Sequence, residues 1–130
     1  MRAKTLPEIF ADTYALFASL EGARNYRKPL LENTPVTTAL NVVELAYGMY
    51  RRGQAKRLLE ILPVFEAMIV EPDRTVVAEA ARFKHERLEA GARCSFVDAW
   101  GYSTARKLGL VFLTGDEDFR GVPGVRFLKA

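Results

Sequence analysis

Apolar positions along the chain alternate between short uninterrupted runs and stripes at helical spacing, a rhythm that predicts strands followed by helices. Ile9-Phe10-Ala11 reads as a buried strand ending at Asp12, and Tyr14, Phe17, Ala18 and Leu20 then take up helical spacing. Asn25 to Asn33 reads as a short helical stretch or a loop, punctuated by Thr34-Pro35. Val36 to Leu40 is rich in β-branched residues and predicts a second strand. Val42, Leu45, Ala46 and Met49 define a helix that ends near Arg51, Arg52 and Gly53, and Gln54 to Phe65 a further helix that Pro63 ends or bends. Met68 to Val70 is a third strand candidate. Beyond Pro72-Asp73, Thr75 to Ala90 predicts an amphipathic helix with Val77, Ala80, Ala81, Lys84 and Leu88 on one face and Gly91 as its stop. Ser95 is placed to cap a helix from Phe96 to Leu108, closed by Gly109. A strand at Leu110 to Leu113, the turn TGDEDF, a loop from Gly121 to Gly124 and a last strand VRFLK complete the chain.

Strands alternating with helices over the whole length predict a three-layer α/β/α sandwich with a central, mainly parallel sheet, because right-handed crossovers place helices on both faces. At 130 residues, with no repeat, low-complexity stretch or linker, residues 1–130 are expected to form one domain. The apolar share of 49% and charged share of 27% are those of an ordinary globular chain and exclude collagen-like, coiled-coil and disordered classes. The start MRAKTLPEIF lacks the apolar run of a secretion signal, no stretch approaches a membrane span, and a lone cysteine, Cys94, forms no internal disulfide. A cytoplasmic protein is the expectation. The formal charge of +3 permits a polyanionic partner without requiring one.

Ligands of such sheets bind at the carboxyl ends of the strands, where the strand order reverses. Asp12 follows the first strand and Asp116 follows VFLT-Gly. Glu44 and Asp98 are expected in the first turns of the helices after VTTALN and Ser95, near the same rim. Each of the last two is an acid within an apolar stretch, LNVVELAYG and FVDAW, where it needs a partner or water. Helix capping explains any one of them, since the helix dipole favours acids in first turns. Four acids meeting at one rim would repel one another unless a cation offset the charge. Oxygen-only donors select Mg²⁺ or Mn²⁺, and the absence of a His/Cys cluster argues against zinc. Such an ion suits phosphodiester hydrolysis.

Four stretches, D-T-x-x-L-F at Asp12 to Phe17, N-V-V-E-L at Asn41 to Leu45, F-V-D-A at Phe96 to Ala99 and L-T-G-D-E-D-F at Leu113 to Phe119, together resemble the PIN-domain ribonucleases, in particular the VapC toxins of prokaryotic toxin–antitoxin pairs. The resemblance runs over nearly the whole chain in the family's order. It implies that Asp12, Glu44, Asp98 and Asp116 are the acidic quartet holding Mg²⁺ or Mn²⁺ around a scissile RNA phosphate. It also implies Asp118 as an accessory acid, and the Thr13 and Thr114 hydroxyls as groups orienting a carboxylate, a water or the phosphate. Whether Asp116 or Asp118 is the principal fourth acid stays open, because both lie on one turn. Homodimerisation and silencing by a VapB-type antitoxin are further implications. The rival reading is a catalytically inactive PIN-like scaffold that binds RNA or protein. A phosphate-binding module on a flavodoxin-like sheet is disfavoured, because ADTYA supplies no glycine-rich loop.

Other reactive side chains carry less. His85, the only histidine, stands among Lys84, Glu86 and Arg87 and reads as solvated. Cys94 reads as an inert thiol. Trp100 could stack a base, but on a helix it points away from Asp98 and is expected in the core. Arg24, Arg27, Lys28, Arg51, Arg52, Lys56 and Arg57 are candidates for phosphate contacts, although Arg51 and Arg52 also complement a helix C-terminus. Tyr47, Tyr50 and the stretch Leu58 to Phe65 exceed one core's apolar needs and fit a dimer or antitoxin surface.

Overall fold

A computed structural model describes residues 8–130; residues 1–7, most of the stretch read above as lacking a secretion signal, lie outside the described residues. The strands are β1 (Ile9–Ala11), β2 (Val111–Thr114) and β3 (Val125–Phe127). The helices are α1 (Thr13–Leu20), α2 (Arg24–Glu32), α3 (Ala39–Arg51), α4 (Ala55–Glu66), α5 (Val76–Glu89) and α6 (Phe96–Lys107), with a 3₁₀ turn at Glu117–Phe119. All pairings are parallel, in the order β1-β2-β3.

On the far side of β1 the sheet continues through single bridges, Phe10 to Val36 and Thr37 to Ile69, both parallel. Main-chain bonds carry this extension: Ala11 N–H donates to the Val36 carbonyl at 2.8 Å and Val70 N–H to the Thr37 carbonyl at 2.8 Å. The chain thus builds outward from β1 in one direction as far as Ile69, then crosses to β2 on the other side. The strand order reverses between β1 and β2, and Asp12 stands at the carboxyl end of that junction.

Strand alternation sorts the core into two halves. Ile9, Ala11 and Leu113 face a cluster with Leu16, Tyr26, Leu45, Met49 and Leu58 from α1 to α4. Phe10 and Phe112 face the opposite side, where they meet Tyr102 and Ala105 of α6, with Phe119 and Phe83 of α5 packed alongside. Phe10 and Phe112 stack with their ring centroids 5.5 Å apart. Helices therefore cover both faces, as the alternation of strands and helices requires.

Several boundaries differ from the sequence expectation, each for a physical reason. The strand expected at Val36 to Leu40 is confined to the bridge residues Val36 and Thr37, because Thr38 instead caps α3 by accepting from Asn41 N–H. A cap bond outweighs the β preference of a threonine here. Helix α3 consequently starts at Ala39, which puts Glu44 in its second turn and not its first. The Met68 to Val70 strand reduces to one bridge at Ile69, and VRFLK pairs only over Val125–Phe127. Asn25 to Glu32 is helical within α2, and Asn33, in an extended conformation, follows its end. Pro63 sits inside α4 without ending it; the carbonyl it leaves without a helical partner belongs to Leu59, an exposed residue. Helix α5 buries Val76 and Ala80 and half-buries Phe83, Lys84 and Arg87, so the expected face is turned by about one residue, and Val77 and Leu88 are exposed.

Candidate active site

Three of the acids singled out from the sequence are held by the starts of helical turns. Asp12 is the N-cap of α1, its Oδ1 accepting from Ala15 N–H at 2.9 Å. Asp98 closes a capping box: its Oδ2 accepts from Ser95 N–H at 3.1 Å while Ser95 Oγ accepts from Asp98 N–H at 3.0 Å. Asp116 caps the 3₁₀ turn, accepting from Asp118 N–H at 3.0 Å. Capping and a role in a site are therefore compatible. In each acid one oxygen takes a main-chain hydrogen, which fixes the carboxylate's direction.

Asp12 is the buried member, at 4% exposure. Burial pushes its carboxyl up to about 7; the Thr114 hydroxyl and Ala15 N–H oppose the rise, and the charges of Asp98 and Asp116 add to it. Asp98 is raised as well, mainly by burial, against the Ser95 hydrogen bonds and with Asp116 and Glu44 adding repulsion. Asp12, Glu44, Asp98 and Asp116 are thereby linked through one another's fields. Asp118, half-buried on the same turn, acts instead on the Cys94 thiol, and its carbonyl accepts from Arg87 at 2.8 Å. Thr114 joins the two sides: its Oγ1 accepts from Asp116 N–H at 3.0 Å and its hydroxyl bonds Asp12.

Glu44 reaches the site from α3 and shares an open cleft of about 580 Å³ with Thr13, Phe17, Tyr47, Arg51 and Arg52. Behind Thr13 lies a polar cluster that the sequence did not single out. Asn41 Nδ2 donates to Thr13 Oγ1 at 3.1 Å, and Thr38 Oγ1 donates to Asn41 Oδ1 at 2.6 Å. The sequence signal was the Thr38-x-x-Asn41 capping spacing, but the bond from Asn41 to Thr13 spans 28 residues and leaves no local trace.

The remaining reactive side chains are placed as follows. His85 is exposed beside Glu89. Cys94 is buried, and burial pushes its thiol up to about 11, away from nucleophilic use. Trp100 is half-buried against Ala80, Cys94 and Ala99. Of the basic candidates, Arg52 bonds Glu21 at 2.9 Å and Arg57 donates to the Leu20 carbonyl at 3.0 Å, so both serve the fold. Arg51 lies over the Tyr47 ring at 5.8 Å.

Among the described residues no three His, Cys, Asp or Glu side chains stand together closely enough to hold a metal ion. The donor chemistry nevertheless fits a hard cation, since all the donors are oxygens. Mg²⁺ keeps several of its waters and commonly takes only one or two carboxylates, so a close triad is not required. Positive charge would also offset the repulsion between the buried Asp12 and the half-buried Asp98.

Fold and site together define a three-layer α/β protein with acids gathered around the switch point of its sheet, Asp12, Asp98 and Asp116 within one another's fields and Glu44 in the cleft beside them. The chain belongs to the PIN domain family, whose model matches residues 9–125. It is similar in fold to VapBC2 from Rickettsia felis bound to a DNA fragment from their promoter, with a TM-score of 0.74, 15% identity and coverage of 94% of this chain and 98% of that one. A toxin-antitoxin complex from Klebsiella pneumoniae gives a TM-score of 0.72 at 21% identity, covering 95% and 99%. VapC20 of Mycobacterium tuberculosis, a Sarcin-Ricin loop cleaving toxin, gives 0.69 at 21% identity, covering 95% and 98%. No curated protein sequence matches the chain. No helix of the described residues is long and apolar enough to cross a membrane.

Proposed function

We propose that this protein is a divalent-metal-dependent endoribonuclease that hydrolyses RNA phosphodiester bonds, and that it is the toxin of a toxin–antitoxin pair. The observation that carries the reading is Asp12: a carboxyl buried at the switch point of a PIN-domain sheet, raised to about 7, and facing the charges of Asp98 and Asp116. A fold keeps so costly an arrangement where function uses it.

In this reading Asp12, Glu44, Asp98 and Asp116 would hold Mg²⁺ or Mn²⁺, one or two of them directly and the others through its waters, with Asp118 as an accessory acid. When bound, the ion supplies the charge that activates a water and stabilises the leaving oxygen of an in-line displacement. The chain's own part is orientation. Ala15, Ser95 and Asp118 each fix one carboxylate oxygen through a main-chain N–H. Thr114 ties Asp12 to the Asp116 turn, and Thr13 presents its hydroxyl to the cleft beside Glu44. Asp116, whose charge acts on both Asp12 and Asp98, is the principal fourth acid in this account. Similarity in fold to toxin–antitoxin complexes supports a VapB-type antitoxin as partner. A line of exposed apolar residues on α3, Leu40, Val43, Tyr47 and Tyr50, supports a homodimer.

The test is cleavage of single-stranded RNA by the purified protein with Mg²⁺, with Mn²⁺ and with EDTA, beside Asp12→Asn and Asp98→Asn. Cleavage is expected only with an ion and with both acids intact. Activity that persists in EDTA or in either variant sinks the mechanism, and RNA bound but never cut would mark an inactive scaffold.

A further inference from the structure

The polar cluster behind Thr13 fixes its own hydrogen-bond directions. The Thr38 hydroxyl has one hydrogen, and it goes to Asn41 Oδ1 at 2.6 Å, while Thr38 Oγ1 itself accepts from Asn41 N–H at 3.3 Å. Oδ1 is therefore the acceptor of the Asn41 amide and Nδ2 its donor. Nδ2 in turn gives its hydrogen to Thr13 Oγ1 at 3.1 Å. Thr38 and Asn41 are buried, at 1% and 2% exposure, so the amide is held away from water. Helix α6 closes its other side: a Cβ on Gly101 would stand 3.2 Å from Asn41 Oδ1. Thr13, by contrast, is half-buried and lines the cleft with Glu44. Having accepted from Asn41, its hydroxyl keeps its own hydrogen, and among the described residues that hydrogen meets no acceptor.

We propose that Asn41 is a positioning residue that pins the Thr13 hydroxyl as a hydrogen-bond donor facing the cleft, where it meets a non-bridging oxygen of the RNA phosphate under attack. This rests on the RNA-cleaving reading above. Without Asn41 the Thr13 hydroxyl is free to rotate, and the phosphate loses an oriented donor.

A double-mutant cycle on Thr13→Val and Asn41→Leu tests it, with kcat and KM for a short single-stranded RNA in Mg²⁺ and a thermal melt of each variant. Each single substitution is expected to lower kcat by about tenfold, the worth of a hydrogen bond to a charged group. The double variant should be no slower than Thr13→Val alone, and Thr13→Ser should keep most of the rate. A purely structural role for Asn41 would make the two losses multiply, which overturns the proposal, as does unchanged kcat in a folded Asn41→Leu. If Asn41→Leu does not fold, Thr38→Val replaces it in the cycle, since that change unlocks the amide. Normal cleavage with multiplying losses defeats this inference alone. An unsubstituted chain that cuts no RNA with either ion defeats the nuclease reading and this inference with it.

Discussion

Asp12 sets stability against function within one side chain. Its folded-state value of about 7 lies above the ordinary 3.8, so between those pH values the folded chain holds a proton that the unfolded chain has released. Stability from this group is greatest below about pH 4, falls as pH rises, and stops falling above about pH 7. At about 1.4 kcal/mol for each pH unit, the cost approaches 4 kcal/mol at neutral pH. Asp12→Asn keeps the cap on Ala15 and removes the charge. The expected outcome is a higher Tm than the unsubstituted chain at pH 7 in EDTA, with the gain shrinking towards pH 4 and cleavage abolished. An equal or lower Tm at pH 7 would show that the acid is not strained. A second residue-scale contrast separates the two acids of the last turn: Asp116→Asn should reduce the cleavage rate at least a hundredfold, as loss of a catalytic electrostatic contact does, and Asp118→Asn far less. Reversed effects in the same assay would exchange their roles. Asp12, Asp98 and Asp116 stand out in the sequence because each follows a strand or opens a helical turn, whereas Glu44, in the second turn of α3, stands out only as an acid in an apolar stretch. Asn41 does not stand out, because its meaning lies in a bond to a residue on another helix.

Helix α6 is positioned as a whole by one missing side chain. A Cβ at Gly101 would lie 3.1 Å from Phe10 Cε1 and 3.2 Å from Asn41 Oδ1, and neither neighbour has room to give: both are buried, and Phe10 is stacked on Phe112. Gly101→Ala gains about 1 kcal/mol in helix preference but overpacks this contact, which costs typically 1–3 kcal/mol. The net expectation is a lower Tm and a larger relative loss of cleavage, because α6 carries Asp98 and displacing it moves that carboxylate. A higher Tm with full cleavage would show that α6 tolerates the shift. Periodicity located α1, α3, α4, α5 and α6 and the cap at Ser95, because those signals are local, and left α2 open between a helix and a loop. It failed where two local signals competed, as at Thr38, where a strand former became a cap. It also failed on α5, whose apolar residues flank the buried stripe on both sides and leave its direction to the packing of Phe83 against Tyr102, 4.2 Å apart.

For the whole molecule, the three-layer arrangement was readable because alternating elements admit few topologies, whereas a surface that meets another chain leaves only an excess of apolar residues as its trace. On α3, Leu40, Val43, Tyr47 and Tyr50 fall at i, i+3, i+7 and i+10, one stripe of the helix, and are 43%, 62%, 62% and 58% exposed. That spacing is the seam along which two helices pack, and a self-complementary stripe on one helix suits a twofold contact with a second copy. The opposite side of the same helix is already committed to the core through Val42, Leu45 and Met49. The stripe also passes beside Glu44 and the cleft, so pairing through α3 would bring the two clefts to one continuous surface. Val43→Glu discriminates between a contact surface and an idle one. In a monomer the new carboxylate would remain in water at this exposed position and leave Tm nearly unchanged. In a dimer it would be buried without a partner, at a cost of several kcal/mol. The expected result is a dimeric mass by sedimentation for the unsubstituted chain and a monomeric mass for a folded Val43→Glu. A dimer that persists in the variant, or an unsubstituted chain that is monomeric at every concentration tested, removes α3 as the contact.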